Sequence, residues 1–179
     1  IGAVGHDDNG RRVMEELRAR GVDVSAVKTR PCDNRFAVIT VDDATGDRTI
    51  LWDRDPRLDL QRGEIDEARI TSSRLVHVDD EDDGAAIVVA TLARSRGITV
   101  TSDIDRLTPR TADLLAQVTM PIFAQHILSE LTGVSDASEA LQRAAAPHHQ
   151  MSCVTLGSRG ALLLVNGEIL HEPAMPVTA

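Results

Sequence analysis

An alternation of short apolar runs with helical stretches constrains this chain more than any other feature. The runs RLVHV (74–78), ITVTSD (98–103), MPIFA (120–124) and the start of CVTLGSRGALLLVNGEI (153–169) are strand-like. Between them lie GAAIVVATLARSR with Gly97 after it, a segment opening at Thr108-Pro109, and two helical stretches around 125–131 and 136–146. Strands returned by helices of this length need crossovers, which are right-handed and build a mostly parallel sheet covered on both faces. The fold class predicted from the pattern is therefore α/β.

The end of the chain holds the most distinctive turn. An apolar run stops at Gly157, a second starts after Gly160, and Asn166-Gly167 turns the chain into a third. Bare backbone at the end of a buried strand lets a phosphate or nucleotide approach without meeting a side chain.

The first part of the chain is built differently. A short apolar run at 1–4 leads into Gly5-His6-Asp7-Asp8-Asn9-Gly10, where Asp7, Asp8 or Asn9 is placed to cap the helix RRVMEELRAR, with Gly21 as its terminator. The glycine spacing is G-x-x-G-x-x-x-x-G, which departs from the dinucleotide fingerprint G-x-G-x-x-G and argues against an NAD-dependent enzyme. FAVITVD (36–42) and RTILWD (48–53) flank DATG and predict a hairpin. Trp52 and Arg54 near its exit read most simply as a packing ring and a solvated charge. A sharper reading makes the hairpin a flap over a polar ligand. A helix is predicted at about 64–71.

Composition narrows the partners. The chain has 19 Lys and Arg against 28 Asp and Glu, a formal charge of -9, and that field repels a phosphate backbone, so no nucleic-acid partner is expected. No apolar run approaches the length of a membrane span, so no membrane partner is expected either. Two cysteines, Cys32 and Cys153, lie far apart without metal-ligand spacing, which fits a reducing, cytoplasmic setting. Since Phe36, Phe123 and Trp52 are the aromatic residues, the core has to be aliphatic. The opening Ile1-Gly2-Ala3-Val4-Gly5, already inside a strand and turn, reads as an interior piece of a longer protein.

Ligands of open parallel sheets bind outside the carboxyl ends of the strands. Those ends here carry His77 to Asp80, Ser102 to Asp105, Ala124 to His126, and Thr155 to Gly157. The set suits a polar small molecule and a hydrated Mg²⁺. Plainer readings stand beside it: Asp79 to Asp83 as a solvated loop capping the next helix, His77 as a structural histidine, Asp103 and Asp105 as loop carboxylates. His148-His149 lacks the further ligands zinc needs.

GAVGHDDNGRRVMEELRARGVDV resembles the G-x-V-G-x-D-x-x-G segment of the ribokinase-like (PfkB) carbohydrate kinases. The resemblance continues through GDRTILWDRD, LTG at Leu131–Gly133 and VTLGSRGALLL, and it covers essentially the whole chain in order. It implies one partial ribokinase-like domain over 1–179, a three-layer α/β/α sandwich with a small β lid, to which the hairpin 36–53 would belong. It also implies transfer of the ATP γ-phosphoryl group to a hydroxyl of a sugar or sugar-like alcohol, with ATP and Mg²⁺ as cofactors. Thr155, Gly157 and Gly160 would lie against the nucleotide. Asp79, Asp103 and Asp105 would face the substrate and phosphate side, with Trp52 and Arg54 as candidates for selectivity. Arg54, if it reached the ligand, would favour an acidic or phosphorylated sugar. Asp7 matches a structural aspartate, and lids of this family pair into homodimers by analogy.

The chain departs from the family pattern in two places. Ala124 and Ile127 stand where N-x-x-E is often found, which leaves the metal ligands unassigned. No G-A-G-D sequence occurs, so no catalytic residue is expected in this chain; the base is expected beyond Ala179, and the 179 residues alone are expected to be inactive. The competing expectation is a non-catalytic nucleotide- or sugar-binding regulatory module on the same scaffold.

Overall fold

The computed structural model describes residues 1–46 and 48–176. Residue 47, inside the stretch GDRTILWDRD, and residues 177–179 lie outside the described residues. The chain divides into two compact units, Ile1–Asp66 and Glu67–Ala179.

In the first unit, β1 (Gly2–Gly5) pairs in parallel with β2 (Val27–Arg30), and α1 (Asp8–Ala19) connects them. Asp7 is the cap of α1. Its carboxylate accepts the Gly10 N–H at 2.8 Å and the Asn34 N–H at 3.1 Å, and these two donors hold it below the ordinary carboxylate range. Asn34 returns the tie by accepting the Gly5 N–H at 3.0 Å. Gly10 has to be glycine here, because a Cβ would lie 2.0 Å from the Gly5 carbonyl oxygen. β2 has no counterpart in the sequence pattern, since VKTR shows neither an apolar run nor a clean alternation. Its last residue, Arg30, pairs with Glu64 at 2.5 Å; that guanidinium and the Gln61 N–H bring the Glu64 carboxyl down to about 2.

The expected hairpin is present as β3 (Phe36–Val41) against β4 (Arg48–Asp53), with Phe36 opposite Asp53 and Val41 opposite Arg48. Both of its faces are exposed and apolar: Phe36, Val38 and Leu51 share one, and Ile39, Ile50 and Trp52 share the other. The helix predicted at 64–71 divides into a 3₁₀ turn, Arg62–Glu64, and the short α2 (Glu67–Thr71), because Gln61 and Glu64 close their own capping box first.

The second unit holds a six-stranded sheet in the order β10-β9-β8-β7-β6-β5. β5 (Leu75–Val78), β6 (Thr99–Ile104), β7 (Met120–Ala124) and β8 (Ser152–Thr155) run parallel. β9 (Ala161–Val165) and β10 (Glu168–Glu172) complete it as an antiparallel meander. Between the parallel strands lie α3 (Asp83–Ser95), α4 (Thr111–Leu115), α5 (Gln125–Thr132) and α6 (Ala137–Ala144). One row of side chains, Val76, Val78, Val100, Ser102, Ile104, Pro121, Phe123, Ser152 and Val154, is buried. Ala90 and Ala93 of α3 are wholly buried, and their small size lets that helix come close. In the alternate row Thr99, Thr101, Met120, Ile122 and Cys153 are half-buried while Leu75, His77, Asp79 and Asp103 are exposed, so the second face is covered in part.

α4 starts later than Thr108-Pro109 suggests. The Thr108 N–H donates to Thr111 Oγ1 at 2.8 Å and the Arg110 N–H donates to Thr108 Oγ1 at 3.1 Å, so two threonines spend one turn satisfying each other before the helix begins. α6 begins as predicted, with Asp136 accepting the Glu139 N–H at 2.8 Å. Among the described residues, no helix is long and apolar enough to cross a membrane. Cys32 is buried and Cys153 half-buried, and both are free thiols.

The loop before β8 is held by imidazoles. His149 Nδ1 accepts the Ala146 N–H at 3.1 Å and faces Ser152 Oγ at 3.3 Å, and His148 Nε2 donates to the Leu115 carbonyl at 3.1 Å. A proton on His149 Nδ1 would set two donors against each other. Burial pushes this imidazole below its ordinary value, and the neighbouring His148 and Arg94 act in the same direction. Stability from neutral His149 is therefore full above the ordinary value of 6.5 and is lost as the pH falls below it through the lowered folded value. His149→Gln keeps an acceptor and a donor without titrating. Denaturation midpoints of this variant should fall less than those of the parent between about pH 7 and pH 5; parallel pH profiles would contradict the assignment.

Candidate functional site

Parallel pairing of β5 to β8 puts the carboxyl ends of four strands along one edge of the sheet, and the polar residues singled out in the sequence lie there. At the β8 end, Thr155 is exposed and its hydroxyl donates to the Phe123 carbonyl of β7 at 3.4 Å. Gly157 follows at φ +59° and opens a 3₁₀ turn, Gly157–Arg159. Gly160 closes it at φ +87°, with its N–H on the Gly157 carbonyl at 3.0 Å and its own carbonyl accepting the Leu156 N–H at 2.8 Å. A Cβ on Gly160 would lie 2.0 Å from the Glu172 carbonyl oxygen and 2.8 Å from the Ala174 nitrogen. Glycine is required there twice over, by dihedral and by space.

Beside this turn is a cavity of about 520 Å³ lined by Leu156, Ser158, Arg159, Leu162, His171, Pro173 and Ala174. Apolar side chains supply a surface for a planar ring, while Arg159 and His171 supply polar groups. Arg159 Nη2 donates to Gln125 Oε1 at 2.7 Å at the start of α5, and His171 Nε2 donates to the Arg159 carbonyl at 2.8 Å. The sequence pattern missed His171. Counting forward from the Asn166-Gly167 turn would have found it, because both residues have positive φ and the resulting register sets His171 opposite Leu162.

The β5 and β6 ends form a separate, acidic cluster. Asp79 is exposed and its Oδ1 accepts the Glu81 N–H at 3.1 Å; Asp103 and Asp105 are exposed too. Asp82, rather than Asp79, caps α3, accepting the Ala85 N–H at 3.0 Å. Asp80 is buried, and its carboxyl is pushed up by burial and by the nearby Asp105. His77 Nδ1 meets Thr101 Oγ1 at 2.8 Å across the strand pair, which agrees with a structural histidine.

At the N-x-x-E positions, Ala124 ends β7 as the cap residue of α5, and Ile127 is 4% exposed inside the core. Ile127 therefore serves packing. Among the described residues, no three His, Cys, Asp or Glu side chains gather closely enough to hold a metal ion. The donor set of the described residues does not by itself make a Mg²⁺ site.

In the first unit, Trp52 is half-exposed with the Arg35 guanidinium 5.4 Å from its ring centroid, a cation–π stack rather than a core contact. Arg54 is not solvated. Its side chain is 16% exposed and its Nη1 is ion-paired with Asp59, which pins the exit of the hairpin.

A profile of the pfkB family carbohydrate kinases matches residues 1–179. An ATP-dependent ribose-1-phosphate kinase of Halopiger xanaduensis is 30% identical over 106 residues, which is 59% of this chain and 36% of that protein. A structure assigned as a ribokinase from Agrobacterium tumefaciens superposes with a TM-score of 0.85 at 25% identity, over 98% of this chain and 58% of the other. The ribokinase of Arabidopsis thaliana, solved with ribose and ATP, gives 0.82 at 21% identity over 100% and 62%. The chain thus spans about a third of the curated relative's length and about three fifths of these two solved structures.

Replacing Gly160 by alanine should destabilise the protein by roughly 3 kcal/mol, from overpacking and left-handed strain together. Chemical denaturation measures this, and a loss below about 1 kcal/mol would mean that the turn is looser than its geometry indicates.

Proposed function

The chain belongs to the pfkB family of carbohydrate kinases, and on that premise we propose that the whole protein transfers the γ-phosphoryl group of ATP to a hydroxyl of a sugar or sugar-like alcohol. The observation that carries this reading is the cavity beside the bare turn Gly157–Gly160. The purine would lie against Leu156, Leu162 and Pro173, and the phosphates would pass over backbone at Thr155, Gly157 and Gly160. The acceptor would sit toward Asp79, Asp103 and Asp105; Trp52, a ring in the first unit, is a separate candidate for selectivity. Arg54 lies two residues from that ring, and its charge is directed at Asp59, so it supports the hairpin as well as any acceptor. The Halopiger relative makes a sugar phosphate one acceptor class worth assaying beside free sugars.

ATP and Mg²⁺ are the proposed cofactors. Phosphoryl transfer depends on positioning and on charge stabilisation, to which bound metal contributes when present. The residues of this chain would orient the two substrates. The proton on the acceptor hydroxyl needs a base, typically worth about 10²–10⁴-fold, and the 179 residues contain no G-A-G-D sequence to supply one. We therefore expect these residues alone to be inactive, and we expect the protein to work in the cytoplasm on small molecules, with neither nucleic acid nor membrane as partner. The hairpin, apolar on both faces and marginal alone, is the proposed site of pairing into a homodimer.

A second reading has one observation in its favour. Ile127, buried where the family often has a glutamate, fits a non-catalytic nucleotide- or sugar-binding module. Full-length protein incubated with ATP, Mg²⁺ and a panel of sugars and sugar phosphates should yield ADP and a phosphorylated product, while the 179-residue chain yields neither. Light scattering on the same full-length sample should give the mass of a dimer. Turnover by the short chain would refute the missing-base argument, and ATP binding without turnover by the full-length protein would favour the regulatory module.

A further inference from the structure

Asp80, one of a run of acids at a strand end, and Arg106, which no sequence pattern singles out, tie together the loops leaving β5 and β6. Asp80 is 5% exposed, and its Oδ2 accepts the N–H groups of Asp105 at 3.3 Å and Arg106 at 3.2 Å. Arg106 returns the contact: its Nη2 donates to the Asp80 carbonyl at 2.5 Å, and its Nη1 pairs with Glu81 at 3.2 Å. Each residue uses its side chain on the other's backbone, across 25 or 26 positions of sequence. The carboxylates on either side, Asp79 and Asp105, are exposed, and Asp79 Oδ1 accepts the Glu81 N–H at 3.1 Å within its own loop.

The arrangement is an unfavourable way to join two loops if joining them is all it does. Burying a carboxylate is opposed by desolvation, and Asp105 adds like-charge repulsion; the Arg106 guanidinium, with Nε 3.8 Å from Asp80 Oδ1, and the two backbone N–H groups offset this only in part. Apolar residues of similar size would close the same gap with less opposition. The bonds made here instead fix backbone: they set the peptide units of 105 and 106 against that of residue 80. That precision matters where a neighbouring side chain has to meet a ligand at a defined spacing.

We propose that Asp80 and Arg106 are positioning residues for the phosphoryl acceptor, a reciprocal clasp that sets the spacing of the Asp79 and Asp105 carboxylates. The proposal rests on the reading that the acceptor binds at this end of the sheet and the nucleotide at the β8–β9 turn. It separates two quantities that a general loss of order would move together. With full-length protein, Asp80→Ala should raise the acceptor KM by roughly 10- to 100-fold and leave the ATP KM within about twofold. Asp80→Asn keeps an oxygen for the two N–H groups and should recover most of that loss. Arg106→Gln, at a side chain 32% exposed, provides the same test should Asp80→Ala not fold, and it should raise the acceptor KM alone.

Variants whose melting temperature falls while the acceptor KM stays at the parent value would overturn the proposal, as would an equal rise in both KM values. A parent protein that phosphorylates no acceptor removes the premise and the clasp's role with it. An active parent whose Asp80 and Arg106 variants keep the parent acceptor KM overturns the clasp alone.

Discussion

The parallel pairing of β5, β6, β7 and β8 is the constraint on which the rest of the second unit depends. Because these strands run the same way, every loop that leaves a carboxyl end emerges on one edge. The pairing is held by an aliphatic row, Val76 to Val154, with Phe123 as its one large ring. Burying each such side chain contributes about 1.5–3 kcal/mol, and parallel ladders need that cover because they are rarely stable when exposed. Function follows from direction: an acidic group of loops at β5 and β6, a glycine turn and cavity at β8 and β9.

The two ends differ in chemistry. The β8–β9 turn offers backbone, an imidazole and a guanidinium, each already tied to a neighbour: His171 to the Arg159 carbonyl and Arg159 to Gln125. The β5–β6 loops offer carboxylates over a buried clasp. An anionic nucleotide would be disfavoured by the carboxylates and accommodated at the turn, whereas hydroxyl groups of a sugar would find acceptors among the carboxylates. In the other unit Arg54 carries a charge that Asp59 neutralises locally, so the hairpin exit is set by an internal pair.

Features fixed by local rules were legible in the sequence. Asn166-Gly167 announced its hairpin, Asp7 was one of three candidate caps for its helix, and Gly157 and Gly160 announced a turn in which Gly160 leaves no room for a side chain. Features fixed across distance were not. VKTR became β2 because β1 was available to pair with it, which nothing in four residues reveals. Thr108-Pro109 looked like a helix start, but the Thr108 N–H goes to Thr111 Oγ1 and the Arg110 N–H to Thr108 Oγ1, and the helix begins a turn later. Asp80 sat in a run of acids indistinguishable by type, and only the return of the chain at 105 and 106 separates it from its exposed neighbours. The family resemblance, carried by motifs spread along the chain, was legible, and the family profile matches the same residues.

The central claim is that nucleotide rests on the β8–β9 turn while the acceptor's place is elsewhere on the same edge. Hydrogen exchange of the full-length protein with and without ATP tests it most directly. The account predicts slowed exchange in peptides covering 156–162 and 171–174, with peptides covering 79–82 and 103–106 unchanged until a sugar is added. Protection by ATP alone at the β5 and β6 loops, with none at Gly157 to Gly160, would contradict it.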